Sequence, residues 1–116
     1  MIDNVLIKKE ADHLIRLLFG EYTNTNDTTD IRRRLIDEFG ITIRITSEGG
    51  WFGYKFYLVQ VIRTKGDEYI DEHCTGAYGD NGEFQSKESA LNYGLLVACT
   101  FALGIKLKKG YLCLDE

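Results

Sequence analysis

Proline is absent from this chain of 116 residues, cysteine occurs three times, histidine twice and tryptophan once. Each scarcity excludes something. Without proline there is no Pro-rich linker, so turns must come from Gly, Asn and Asp. Cys74, Cys99 and Cys113 are odd in number and contain no CxxC pair. That argues against a disulfide framework and for free thiols, which pack as small hydrophobes in a reducing compartment. The longest apolar stretch, residues 95–103, falls far short of the ~20 residues that a membrane helix needs. Near the N-terminus Lys8 and Lys9 are followed by Glu10 and Asp12, and the apolar run at 14–19 is interrupted by Arg16. This does not read as a secretory signal, so a cytoplasmic location is expected and no membrane partner.

Catalytic patterns are missing as well. There is no nucleophile elbow, no HExxH and no paired-carboxylate motif. The stretch Gly49-Gly50-Trp51-Phe52-Gly53 lacks the strand–GxGxxG–helix setting of a phosphate loop and leads into a strand, so it reads as a turn. The sequence therefore predicts a protein that is not an enzyme and that needs no cofactor or metal. One cluster tests that expectation. In Asp71-Glu72-His73-Cys74, strand alternation puts Asp71 and His73 on one face and Glu72 and Cys74 on the other. Asp71 and His73 would supply two metal ligands or an acid–base pair, but no second cluster with ligand spacing accompanies them. His13 falls near the buried boundary of a helix.

The net charge is −4, and the excess lies in the middle of the chain. Residues 48–90 carry four basic and eight acidic side chains, whereas the segments on either side are nearly balanced. A general phosphate-binding surface would need clustered Lys and Arg.

What remains is an ordinary globular composition in one domain's length. Residues 4–19 are amphipathic, with Ile7, Ala11, Leu14, Ile15 and Leu18 at helical spacing, Asp3 or Asn4 as cap and Gly20 as stop. Residues 22–29 are polar and read as a loop. Thr29 or Asp30 would cap a short helix at about 31–39, with Ile31, Leu35 and Phe39 on one face and Gly40 as terminator. Residues 41–47 alternate cleanly, Ile41, Ile43 and Ile45 inward and Thr42, Arg44 and Thr46 outward. A longer aromatic and β-branched strand follows at about 53–64, then a Lys65-Gly66-Asp67 turn and a weaker strand at about 68–76. The residues 79–82 form a further turn. Ser86 caps a last helix at about 87–103, with Leu91, Leu95, Ala98 and Ala102 as its buried stripe, Gly94 for close approach and Gly104 as stop. Residues 105–116 form a tail that reads as a terminal β-ribbon or an extra edge strand. The expected fold is α+β in two layers, a three-stranded antiparallel sheet packed by helices in the order α-α-β-β-β-α. Residues 1–116 make one domain, with an N-terminal helix at 1–20, a core at 30–104 and a tail at 105–116.

Two resemblances follow from these segments. The pieces IRRRLIDEFGITIRI, WFGYKFYLVQVI and SKESALNYGLLVACTFAL resemble a group of small phage and mobile-element proteins of Bacteroides-type bacteria. This covers about two-thirds of the chain and implies a fold and a genomic setting rather than an activity. The order helix, three strands, helix also resembles the double-stranded-RNA-binding domain. Gly82 and Ser86-Lys87-Glu88-Ser89-Ala90 fall where that family has a Gly and then a Ser-Lys-Lys-x-Ala helix start. Here Glu88 replaces the second lysine and Leu91 stands where the next is expected, which reverses the local field toward phosphate.

Three surfaces are candidates for function. The aromatic group around the second strand cannot all enter one core, and Trp51 and Tyr57 are the rings expected to be partly exposed, as interface anchors. Asp67, Glu68, Asp71 and Glu72, with Asp80 and Glu83 in a neighbouring turn, form an acidic group suited to a basic protein surface. Arg32, Arg33 and Arg34, extended by Arg44 and by Lys87, form the basic alternative for nucleic acid. The leading expectation is an interaction protein of a phage or mobile element that binds and modulates or inhibits a protein partner, such as a defence or nucleic-acid-handling complex. A nucleic-acid-binding module is second and a small-ligand or nucleotide binder third. A homodimer through an edge strand or the tail is compatible with all three.

Overall fold

A computed structural model describes residues 4–49, 55–74 and 84–106. The elements are α1 (Asn4–Phe19), α2 (Thr28–Phe39), β1 (Ile41–Gly49), β2 (Lys55–Lys65), β3 (Glu68–Cys74) and α3 (Lys87–Leu103). The order is α-α-β-β-β-α, and the strands form one antiparallel sheet in the order β1-β2-β3, the α+β architecture expected from the pattern. The Trp51 ring, the 79–82 turn, Asp80, Glu83, Cys113 and the tail from residue 107 onward lie outside the described residues.

Local chemistry sets most of the boundaries. Gly20, Gly40 and Gly104 end the three helices with positive φ. The Ser86 side chain accepts a hydrogen bond from the Ser89 amide at the start of α3. One boundary differs from expectation. Helix α2 begins at Thr28, and its cap is Asp27, whose carboxylate accepts from the Asp30 amide at 3.2 Å. Thr29 and Asp30 therefore lie inside the first turn, where Asp30 complements the helix dipole. Just upstream, the Asn24 side chain accepts from the Asn26 amide at 3.1 Å and folds the polar loop back toward that cap.

Register follows the hydrophobic alternation. Ile41, Ile43 and Ile45 lie opposite Arg63, Val61 and Val59. Ile41, Ile43, Val59 and Val61 are buried under the helices. Helix α3 covers this face at very short range. A Cβ built on Gly94 would stand 2.7 Å from Ile43 Cγ2 and 3.2 Å from Val59 Cγ1. Only glycine fits that approach. On the other side of α3 lies α1, which packs on α3 rather than on the strands and brings Ile7, Ala11, Leu14 and Ile15 into the core. This widens the buried surface of α3 beyond the expected stripe. Tyr93, Leu96, Val97, Cys99 and Thr100 are buried along with Leu95 and Ala98, as expected for a helix covered on both sides. Among the described residues no helix is long and apolar enough to cross a membrane.

The two sheet edges differ. Helix α2 lies along β1, where Arg32 donates to the Ile43 carbonyl at 2.6 Å. Gly40 ties the α2–β1 junction to β2 through its carbonyl, which accepts from the Thr64 amide at 2.9 Å. No element of the described residues covers the outer edge of β3. A β-bulge also interrupts its pairing with β2: Arg63 faces Asp71 while Thr64 faces Tyr69, so β3 holds one extra residue, Ile70.

Candidate functional site

The β2–β3 hairpin carries exposed apolar surface next to charge. Its turn is Gly66-Asp67, with Gly66 at a φ of 65° and Lys65 paired to Glu68. The bulge breaks strand alternation, so Tyr69 and Ile70 do not divide between a buried and a wet face. Tyr69 is 73% exposed and Ile70 48% exposed. Asp67, Glu68 and Glu72 are exposed around them. Glu72 is held in place by the Gln60 side chain, whose amide nitrogen donates to its carboxylate at 3.0 Å across the helix-free face of the sheet. The other large exposed apolar side chains among the described residues are Val5, Leu6 and Leu17 on α1, Tyr22 in the loop, Ile36 on α2 and Ile105 after α3.

The expected docking residues do not all gather here. Asp67, Glu68 and Glu72 do. Asp71 does not: it points to the helix side of the sheet, where its carboxylate lies 3.9 Å from the Arg63 guanidinium. Tyr57 also leaves the group. It sits opposite Ser47 on the helix side, is half-buried against the core, and pairs through its backbone with Phe84 at 2.8 and 3.0 Å. Trp51 lies outside the described residues. Tyr69 and Ile70 are exposed apolar residues of this hairpin that sequence reasoning did not single out. The signal for them was present: two adjacent large apolar residues within an acidic strand cannot both point inward.

The basic residues are dispersed. Arg32 is spent on the Ile43 carbonyl. Arg33 bridges Asp30, with Asp37 at 4.0 Å, and this pairing holds its pKa above the ordinary guanidinium value, first through the hydrogen bond to Asp30 and then through its charge. Arg34 pairs with Glu38 at 3.3 Å and lies over the Phe19 ring, 4.2 Å from its centroid. Arg44 is exposed on the helix-free face of β1. Lys87 stands at the start of α3, lining a shallow cleft of about 410 Å³ with Lys8, Asn26 and Glu88. Consecutive arginines on a helix fan out around it, so three in a row do not make one patch.

Asp71 and His73 do share a face, as alternation requires. His73 Nε2 is 2.7 Å from the hydroxyl of Tyr93, a buried residue of α3, and the two rings are tilted at 5.5 Å. With Arg63 they border a cleft of about 520 Å³ between β3 and the C-terminal half of α3. Arg63 is a residue that sequence reasoning missed. It occupies an inward position after Val59 and Val61, and it donates to the Phe101 carbonyl at 3.1 Å. Among the described residues no three His, Cys, Asp or Glu side chains gather in a way that would hold a metal ion. His13, expected at the boundary of α1, is exposed.

Of the described cysteines, Cys99 is sealed in the core and burial pushes its thiol up to about 12. Cys74 is exposed, with its thiol raised mainly by partial burial and then by the charge of Glu72. Neither environment activates a thiolate. Compared with protein-family models, with curated proteins and with solved structures, the chain matches none.

Proposed function

We propose that this chain is a non-enzymatic docking domain whose β2–β3 hairpin binds a protein partner with a basic surface. The observation that carries the reading is the pairing of Tyr69 and Ile70, both exposed on an edge strand, with a fence of Asp67, Glu68 and Glu72. An exposed aromatic ring beside an aliphatic side chain is the composition of an interface anchor. Carboxylates around it speed encounter with a basic partner and repel acidic ones. The contrast between the edges supports the same reading. Helix α2 and Arg32 cover β1, while the edge of β3, uncovered among the described residues, carries charge and a bulge beside these two side chains, the devices that keep an open edge from pairing indiscriminately.

The resemblance to phage and mobile-element proteins supports one class of partner: a host or element-encoded complex that handles nucleic acid or acts in defence, whose own basic groove an acidic hairpin would occupy and inhibit. The test is a pull-down of the tagged chain from the lysate of a relevant host. The wild-type chain should recover one stoichiometric protein. Tyr69→Ala and Glu72→Lys should each lose it, and Arg33→Glu on the opposite edge should keep it. Recovery of the same protein by all four chains would remove the hairpin from the account.

A further inference from the structure

We propose that the cleft between β3 and the C-terminal half of α3 binds a small organic anion, a carboxylate or phosphate monoester carrying an apolar body. This site faces the helix side of the sheet and does not depend on the docking reading. Its volume of about 520 Å³ lies within the range of small-ligand pockets.

The charges around the cleft decide the ligand class. Arg63 and Lys106 line it, against the single carboxylate of Asp71. Arg63 gives one N–H to the Phe101 carbonyl at 3.1 Å. Its 3.9 Å separation from Asp71 is an ion-pair distance but too long for a hydrogen bond. A guanidinium has several further N–H donors, so Arg63 keeps capacity for an oxyanion. Lys106 is exposed, and among the described residues no carboxylate lies within ion-pair reach of it. The negative end of α3 would ordinarily oppose an anion. Here the two terminal carbonyls of residues that line the cleft are engaged: Phe101 accepts from the Gly104 amide at 3.2 Å as well as from Arg63, and Thr100 accepts from the Ile105 amide at 3.1 Å. Two cationic side chains thus face one carboxylate in the cleft.

Its walls supply the rest. Val97 forms the floor with Phe101 and Ile105 beside it, an apolar surface for the body of the ligand. The Phe101 carbonyl anchors the Arg63 guanidinium, with the Asp71 charge 3.9 Å away on the strand side. The bond between His73 and Tyr93 joins β3 to α3 at the inner end, so the two walls are held at fixed spacing. A bound cation is disfavoured, since Asp71 is the one carboxylate present and Arg63 already neutralises it.

The test is a ¹⁵N–¹H correlation titration of the full chain at low salt with three probes: phenyl phosphate, benzoate and the uncharged benzyl alcohol. The proposal predicts saturable shifts at Asp71, Phe101 and Ile105 with phenyl phosphate, benzoate or both, in the millimolar range or tighter, and none with benzyl alcohol. A tighter Kd for phenyl phosphate assigns the site to phosphate monoesters, and a tighter Kd for benzoate assigns it to carboxylates. Lys106→Glu, a change at an exposed position, should raise the Kd at least tenfold with the melting temperature unchanged. Arg63→Lys, which keeps the charge and loses the fork, should raise it severalfold. Lys87→Glu at the far end of α3 should leave it unchanged. Absence of saturable shifts with both anions, equal binding of benzyl alcohol, or indifference to Lys106→Glu would overturn the proposal.

Discussion

Replacing Gly94 by alanine is the sharpest probe of how α3 sits on the sheet, because two effects of known size oppose each other. In an open helix Gly→Ala stabilises by about 1 kcal/mol through helix propensity. Here the new methyl would stand 2.7 Å from Ile43 Cγ2 and 3.2 Å from Val59 Cγ1. Carbon atoms prefer roughly 3.5–4.0 Å, so the first contact overlaps by nearly an ångström. Ile43 and Val59 are buried and β-branched, so neither side chain can swing aside without leaving its rotamer. Overpacking of this kind costs about 1–3 kcal/mol. The net expectation is a loss of up to about 2 kcal/mol, which for a domain of this size lowers the melting temperature by up to roughly 8 °C. Urea denaturation of wild type and Gly94→Ala measures the loss directly. In an Ile43→Ala background the Gly94→Ala penalty should shrink, since the colliding methyl is gone. If Gly94→Ala instead raises the midpoint by the full propensity gain, α3 does not approach β1 and β2 this closely and the packing argument fails.

Other outcomes follow from the same contacts. Gly40→Ala should cost about 2 kcal/mol or more, because a left-handed φ of 67° disfavours a Cβ and that Cβ would collide with the Thr64 carbonyl oxygen; chemical denaturation checks it. Asp27→Ala should destabilise by about 1 kcal/mol through loss of the α2 cap, while Thr29→Ala should change little, since Thr29 caps nothing; paired thermal melts distinguish the two. Iodoacetamide at about pH 8 should label Cys74 in the folded protein and spare Cys99 until denaturant is added, because reaction needs an accessible thiolate. Raising the pH should speed labelling at Cys74 first. Peptide mass mapping reads both sites, and early labelling of Cys99 would show that α3 is not enclosed by α1 and the sheet.

Much of the fold was legible because its signals are local. Ser86 and Gly104 bracket α3, Gly40 stops α2, and the alternation from Ile41 to Ile45 fixes which face of β1 is buried. Each is decided by residues within a turn or a strand. The α2 cap was misplaced because Asp27, Thr28, Thr29 and Asp30 are all competent caps, and only backbone geometry chooses among them. The second buried side of α3 was not legible either. Helix α1 packs on α3, and Tyr93 turns instead to His73 of β3 and to Phe84; both are tertiary contacts which helical periodicity does not encode.

The candidate surfaces show the same division. Asp67, Glu68 and Glu72 are where composition suggested, because exposed charge on an edge strand needs no long-range information. Asp71 and Tyr57 stand apart from that group because strand alternation sends them to the helix side. The arginine run looked like a patch in one dimension and is split in three by the helical turn and by Ile43, Asp30 and Glu38. Arg63 escaped notice because a lone basic residue in an apolar strand carries no motif, yet it joins β2, β3 and α3 at one cleft.

The docking claim is tested most directly by placing a photo-crosslinking amino acid at Tyr69 and, separately, at the exposed Leu17 of α1, with expression in the relevant host. Illumination should yield one discrete heavier adduct from position 69 and none from position 17, and adding Glu68→Lys should abolish it. A discrete adduct from position 17 with nothing from position 69 would move the partner to the helical side of the molecule and contradict the account.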